Sequence, residues 1–85
     1  MSRVAVIGAG YVGLTTAACL ADLGNSVVVV DINGAKIEQL KRHQVPFYEP
    51  GLGELVERNA NAGRLTFTTS YEEAVPGAEY AIIAV

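Results

Sequence analysis

Three uninterrupted apolar runs divide the chain, and they lie at Val4–Ile7, Val27–Val30 and Tyr80–Val85. None of them alternates apolar with polar residues, and such runs are typical of strands covered on both faces, as in parallel sheets. A fourth segment, Leu65–Thr69, does alternate. It predicts a shorter strand nearer the edge of the sheet.

Segments with helical periodicity fill the gaps between these runs. Tyr11–Leu23 carries apolar residues at helical spacing and ends before a Gly-Asn pair, which is a C-cap signal. Gly34–His43 predicts a second helix, and a third begins at Leu52 with an apolar stripe at i, i+3, i+4 and i+8. In that third helix Glu54 and Arg58 have the i, i+4 spacing of an ion pair.

A capping-box pattern of Ser70 and Glu73 opens a short fourth helix. Strand–helix alternation with short loops implies right-handed crossovers and a parallel sheet. The expected fold is therefore α/β, a Rossmann-type doubly wound sheet with four strands in the order 3-2-1-4. The last predicted strand is apolar up to Val85, and a bare apolar edge is an association hazard. We therefore expect residues 1–85 to form a partial dinucleotide-binding domain, the front part of a larger protein.

Composition favours a small globular domain. Of the 85 residues, 51% are hydrophobic and 18% are charged, which excludes the composition of disordered chains. The net charge of −3 argues against a nucleic-acid partner, and no apolar run approaches the ~20 residues of a membrane span. The N-terminus has no signal-peptide pattern, so we expect a cytoplasmic protein.

A glycine-rich turn follows the first predicted strand. Gly8–Gly13 reads Gly-Ala-Gly-Tyr-Val-Gly and matches G-x-G-x-x-G, and Asp31 ends the second strand 18 positions after Gly13. A lone match is a weak signal, but the dinucleotide-binding fingerprint requires a strand before it, a helix after it and an acid about 20 residues on. All three are present, and a merely structural turn explains neither the three glycines nor the acid.

Each residue of the turn has a physical task in this interpretation. Gly8 permits the tight turn, Gly10 leaves room for a pyrophosphate at the backbone, and Gly13 lets the helix pack closely on the sheet. The amides of Tyr11 and Val12 fall at the start of the helix, where they have no intrahelical partner and can donate to phosphate oxygens. The helix dipole adds a favourable field for the negative charge.

Asp31 bears on the choice of cofactor. An ionised carboxylate can accept hydrogen bonds from the ribose hydroxyls of an adenosine, and it repels a 2′-phosphate, so NAD is favoured over NADP. Lys36, on the first turn of the second predicted helix, has two interpretations. It reaches the same ribose and neutralises Asp31 or donates to a hydroxyl, or it is a solvated helix residue.

Two motifs together resemble those of a known family. Gly8–Leu14 reads Gly-Ala-Gly-Tyr-Val-Gly-Leu, and Phe47–Leu52 reads Phe-Tyr-Glu-Pro-Gly-Leu. With them the sequence resembles the UDP-glucose 6-dehydrogenase family of NAD-dependent nucleotide-sugar dehydrogenases. Gly63–Leu65 and Thr68-Thr69 follow in the family's order, and Ala81–Val85 resembles the strand that runs into the family's Thr-Pro motif. The resemblance covers the whole chain.

The resemblance implies an oxidoreductase that converts the 6-hydroxymethyl group of UDP-glucose to a carboxylate in two steps, using two NAD molecules. Family members use a cysteine nucleophile with lysine, asparagine and aspartate helpers, all beyond the equivalent of Val85. We therefore expect no catalytic residue in this chain, and we expect the chain alone to be inactive. The resemblance also implies cofactor contact at Asp31 and Lys36. A UDP-sugar would bind through further domains, and we expect the full-length protein to be a homo-oligomer.

Other residues have structural interpretations. Cys19 lies among apolar helix residues and is expected to be buried as a small hydrophobe, not to act as the nucleophile. Glu49–Gly51 is explained by a turn into a helix, so it serves as a family marker and not as a site. His43 is expected at a solvent-exposed helix terminus. The Tyr11 ring could pack over a cofactor or line a substrate entrance.

Alternative functions share the glycine turn. One is a GDP-mannose or UDP-N-acetylmannosamine dehydrogenase, from which Tyr48 distinguishes this chain only mildly. The other is a non-catalytic NAD-sensing regulatory module, which would not require the Glu-Pro-Gly-Leu insertion between the second and third strands. Fold alone does not choose among them.

Overall fold

The computed structural model describes residues 1–85 and contains four strands and four helices. The strands are β1 (Arg3–Ile7), β2 (Ser26–Val30), β3 (Leu65–Thr68) and β4 (Tyr80–Ile83). The helices are α1 (Tyr11–Asp22), α2 (Gly34–Lys41), α3 (Leu52–Asn61) and α4 (Tyr71–Ala74). Every predicted strand and helix is present, with ends within about two residues of those expected from the sequence.

All four strands run parallel, in the order β3-β2-β1-β4. Val4 pairs with Val27 and Ile7 pairs with Val30, so the first two apolar runs lie side by side at the centre of the sheet. Leu65–Thr68, the segment that alternates, forms the edge strand beside β2. The predicted doubly wound α/β fold and its 3-2-1-4 order are confirmed.

The two faces of the sheet are covered unequally. Val4 and Val6 of β1 lie on one face in a core of 15 buried residues to which α1, α2 and α3 contribute. Ala5, between them, points to the other face and packs with Val30 and with Ala74 of α4 in a core of three buried residues. Because both faces carry a helix, Val4, Ala5 and Val6 are all buried, which explains why the run Val4–Ile7 contains no polar residue.

Strand β4 is the least covered strand. It pairs with β1 along one edge only, and the Tyr80 and Ile83 side chains are exposed. An apolar groove of about 430 Å³ lies beside it, between Leu20 of α1 and Ile82. Ser2 and Asn25 close the groove at the amino ends of the strands, so the largest cavity is at the opposite end of the sheet from the glycine turn.

Two expectations about single side chains were wrong. Cys19 is exposed rather than buried, because the helix turns about 100° per residue and the buried stripe of α1 passes through its neighbours Ala17, Ala18 and Ala21. His43 is not a freely exposed helix terminus. It follows α2 with φ 62°, its side chain is 28% exposed, and its Nδ1 lies 3.8 Å from Glu57 Oε2 of α3.

No helix in this chain has both the length and the apolar character required to cross a bilayer.

Candidate functional site

The glycine turn connects the carboxyl end of β1 to α1. Gly8 adopts φ +112°, a conformation that glycine alone adopts readily, and its N–H donates to the Val30 carbonyl at 2.8 Å. A Cβ on Gly8 would lie 2.8 Å from the Ala84 carbonyl oxygen. Gly8 is therefore required by the backbone conformation and by the close approach of the chain after β4.

Gly13 is required for a different reason. It is buried in the first turn of α1, and a Cβ at this position would overlap the carbonyl oxygen of Gly8. The neighbour is backbone, which cannot move aside as a flexible side chain can. The missing side chain thus allows α1 to start directly against the turn.

Gly10 differs from both. Its φ of −74° and ψ of −173° are open to any residue, and a Cβ would meet no atom within 4 Å. Nothing in the fold itself demands a glycine at this position. The space that its missing side chain leaves is open to a molecule from outside.

The amide groups that follow Gly10 have no partners within the chain. The first intrahelical hydrogen bond of α1 runs from Leu14 N–H to the Gly10 carbonyl at 2.9 Å, so the amides of Tyr11, Val12 and Gly13 are unpaired. No side chain caps this helix end, and its first turn holds no acidic residue. Unpaired amides and the positive end of the helix dipole together favour an anion here.

Asp31 joins the end of β2 to the glycine turn. Its Oδ2 accepts from the Ala9 N–H at 2.8 Å, and its Oδ1 accepts from the Asn33 N–H at 2.9 Å. Partial burial acts to raise the pKa of this carboxyl, but the two backbone hydrogen bonds and the charge of Lys36 outweigh it and lower the pKa. Asp31 is therefore ionised at neutral pH, and each of its oxygens keeps capacity for a second donor.

Lys36 lies on the first turn of α2. Its amide donates to Oδ1 of Asn33, the N-cap of that helix, at 3.0 Å. Its side chain makes no ion pair with Asp31, although its charge is close enough to lower the pKa of that carboxyl. The ammonium group is thus near the candidate site and uncommitted.

A contact that the sequence did not predict lies beside the turn. The Tyr11 hydroxyl donates to Glu49 Oε2 at 3.1 Å, and the Tyr11 ring meets the Phe47 ring edge-on, with centroids 5.8 Å apart. The hydrogen bond to Glu49 and its negative charge raise the pKa of Tyr11. Partners 36 and 38 positions away leave no periodic signal, so only the fold could reveal them.

The structure brings the predicted residues together at one edge of the sheet, at the carboxyl ends of β1 and β2. The unpaired amides directly follow Gly10, beside which there is open space. The ionised carboxylate of Asp31 accepts from the N–H of Ala9, the residue before Gly10. These groups fit a ligand with a diphosphate and a ribose, because the amides suit phosphate oxygens and the carboxylate suits hydroxyl donors. Fold and site together define a dinucleotide-binding domain of the doubly wound class.

Comparison with known families identifies which one. The family model described as "UDP-glucose/GDP-mannose dehydrogenase family, NAD binding domain" matches residues 2–85. The chain belongs to this family and corresponds to its NAD-binding domain.

Individual relatives agree with this assignment. The chain is 48% identical over 85 residues to the UDP-glucose 6-dehydrogenase TuaD of Bacillus subtilis, covering 100% of the chain and 18% of that protein. It is 43% identical to the GDP-mannose 6-dehydrogenase of Azotobacter vinelandii, covering 98% of the chain and 19% of the relative. The solved UDP-glucose dehydrogenase of Pyrobaculum islandicum superimposes with a TM-score of 0.94 at 42% identity, over 100% of the chain and 20% of that structure. The chain thus spans about a fifth of the length of the curated relatives it matches.

Proposed function

We propose that this chain binds the adenosine diphosphate part of NAD on the glycine turn. In this proposal the amides of Tyr11, Val12 and Gly13 donate to the pyrophosphate, and Gly8 and Gly10 provide the turn and the approach. The observation that carries the proposal is the open space at Gly10 beside unpaired amides, since the fold itself has no use for a glycine there.

Asp31 and Lys36 complete the proposed site at the ribose. Asp31 accepts from the ribose hydroxyls with the acceptor capacity that Ala9 and Asn33 leave free. Its negative charge disfavours a 2′-phosphate, so NAD is preferred to NADP. Lys36 donates to a ribose hydroxyl or offsets the charge of Asp31, which is supported by its effect on the pKa of that carboxyl.

We further propose that the parent protein oxidises UDP-glucose to UDP-glucuronate. NAD supplies the hydride acceptor, and the sugar-binding and catalytic groups are contributed by parts of such a protein outside the matched range. Identity of 48% to a UDP-glucose 6-dehydrogenase, against 43% to a GDP-mannose 6-dehydrogenase, supports this substrate. A GDP-mannose or UDP-N-acetylmannosamine dehydrogenase is the alternative. Family membership favours a dehydrogenase over a regulatory module.

Calorimetric titration of the chain with NAD and with ADP-ribose tests the site. The variant Gly10→Val fills the open space and is expected to abolish binding of both ligands without loss of folding. Gly53→Val is the matched control, because Gly53 is exposed on α3 and its Cβ would also meet no atom within 4 Å. Unchanged affinity in Gly10→Val would show that the diphosphate lies elsewhere.

A second assay addresses the division of labour between this chain and the rest of the protein. We expect no NADH formation when the chain is mixed with NAD and UDP-glucose, because hydride transfer requires both reactants to be held close together and correctly oriented. The second half of a doubly wound sheet holds the nicotinamide side. Turnover by this chain that is abolished in Cys19→Ala would overturn the proposal that the nucleophile lies elsewhere.

A further inference from the structure

The first two residues of α1, Tyr11 and Val12, are exposed, whereas Gly13 and Leu14 behind them are buried. This first turn has no side-chain cap, it follows a glycine, and its amides at Tyr11, Val12 and Gly13 are unpaired. Helix ends without caps fray, because the orphan groups gain nothing from the helical conformation. A ligand that binds these amides in a fixed arrangement would then bind more weakly, because ordering them costs free energy.

Tyr11, the first residue of this turn, contacts a distant segment through its side chain. Its hydroxyl donates to Glu49 Oε2 at 3.1 Å, and its ring stands at 88° to the ring of Phe47. Tyr11 also begins α1, so the residue that presents one of the unpaired amides is itself tied to a distant segment. The raised pKa of Tyr11, caused first by the hydrogen bond to Glu49, agrees with a hydroxyl proton engaged by that carboxylate.

The segment on the other side of this contact is held mainly by side-chain packing. Residues 45–48 make no backbone hydrogen bonds, but Val45 and Phe47 pack against the large core. Immediately after them, the Glu49 carbonyl accepts from Leu52 N–H at the start of α3. The Glu49 backbone is thus fixed by the entry to a helix, and its exposed carboxylate lies within hydrogen-bond distance of the Tyr11 hydroxyl.

We propose that Tyr11 is a positioning residue, whose side chain, held by Glu49 and Phe47, fixes the first turn of α1 in the arrangement that binds a diphosphate. The identity of the ligand in this proposal rests on the proposed function, whereas the effect of Tyr11 on the start of α1 does not. A ring that instead packs directly on the ligand would act through its aromatic face, which Tyr11→Phe retains. Removal of the hydroxyl in Tyr11→Phe should therefore weaken binding only if Tyr11 acts by positioning the turn.

The first experiment measures backbone order in the ligand-free chain by ¹⁵N relaxation. In the native chain the amides of Tyr11 and Val12 are expected to have order parameters near the rigid value of about 0.85. Tyr11→Phe and Glu49→Leu should lower them towards about 0.6, whereas Glu49→Gln, which keeps an oxygen acceptor, should restore them. Tyr71→Phe is the matched control, since Tyr71 also begins a helix with a partly exposed ring and makes no side-chain hydrogen bond.

The second experiment measures the affinity of the same variants for ADP-ribose by calorimetry. Loss of one ordering hydrogen bond should weaken binding about fivefold in Tyr11→Phe and in Glu49→Leu. The double variant should be no weaker than either single variant, and Glu49→Gln should stay within about twofold of the native chain.

The two experiments fail separately. If the order parameters of Tyr11 and Val12 are unchanged in both Tyr11→Phe and Glu49→Leu, Tyr11 does not position the turn, whatever the chain binds. Native affinity in Tyr11→Phe would also overturn the proposal. If the native chain does not bind ADP-ribose, the proposed function is wrong, and the relaxation data alone then decide whether Tyr11 holds the helix end.

Discussion

The two ends of α1 are built on opposite principles. At its C-terminus, Asp22 Oδ1 accepts from Arg58 Nη2 at 2.8 Å and from Asn59 Nδ2 at 3.1 Å. The Ala21 carbonyl accepts from Arg64 Nε at 3.1 Å, so one end of the helix is tied to α3 and to the start of β3. At the N-terminus, by contrast, the amides after Gly10 have no partner at all.

Burial explains the part of this difference that involves Asn59. Asn59 of α3 is completely buried, and its Nδ2 also donates to the Leu55 carbonyl while its Oδ1 accepts from Arg64 Nε. A polar group that water cannot reach must find its partners within the chain. Tyr11 and Val12 at the N-terminal end are exposed, so water can reach their amides. We call the C-terminal end of α1, whose polar groups have partners within the chain, the closed end, and the N-terminal end, whose amides have none, the open end.

The largest difference between the two ends is expected in cofactor choice, which the open end alone should control. The native chain should prefer NAD to NADP by at least about a hundredfold, because Asp31 would face the 2′-phosphate at close range. Asp31→Ser and Asp31→Asn should both gain affinity for NADP, and Asp31→Asn keeps an oxygen acceptor for the Ala9 N–H.

Calorimetry with both cofactors, alongside chemical denaturation to verify folding, checks this prediction. Equal affinities in the native chain would contradict it, as would folded variants that gain nothing towards NADP. Asn59→Ala, at the closed end, should leave the ratio of the two affinities unchanged.

The glycines of the turn should divide between folding and binding. Gly13→Ala places a Cβ against the Gly8 carbonyl and should lower the free energy of unfolding by about 3 kcal/mol. Gly10→Ala should change it by less than about 0.5 kcal/mol, since its Cβ enters open space. Urea denaturation measures both. Equal destabilisation by the two variants would remove the distinction between a glycine that the fold needs and one that it does not.

At the closed end, Asn59→Ala should lower the free energy of unfolding by about 2 kcal/mol, because it leaves buried partners of the amide unsatisfied. Asn61→Ala is the matched control, as Asn61 lies in the same helix but is exposed. Denaturation of the two variants tests this difference. Because alanine has the higher helix propensity, Asn61→Ala should not lower the free energy of unfolding, and a loss of the same size in both variants would contradict the role of the network.

The smallest effect is a pH dependence of stability at the closed end. Hydrogen bonds from Arg58 and Asn59 lower the pKa of Asp22. Because the folded-state pKa lies below the ordinary value of about 4, the carboxylate contributes stability above that value and loses it as the pH falls through the folded pKa. Denaturation between neutral pH and about pH 3 should show the native chain losing more stability on acidification than Asp22→Asn. Parallel pH profiles would contradict this.

Local patterns in the sequence determined the strands, the helices and the glycine turn. Continuous apolar runs predicted the strands covered on both faces, and alternation placed Leu65–Thr68 at an edge. The predicted cap of the fourth helix is also present, since Ser70 Oγ accepts from the Glu73 N–H. These features depend on backbone conformation and on neighbours within about four residues, so they can be predicted from the sequence directly.

Side-chain partners across the fold were decided by tertiary structure alone. Arg58 pairs with Asp22 of α1 and not with Glu54 of its own helix, and Tyr11 reaches Glu49. Each choice depends on how α3 and the segment before it lie against α1, because a flexible side chain has several reachable partners and packing selects one. The sequence by itself therefore predicted a turn able to receive a diphosphate. Which side chains lie beside that turn followed only from the packing of segments nearly 40 residues apart.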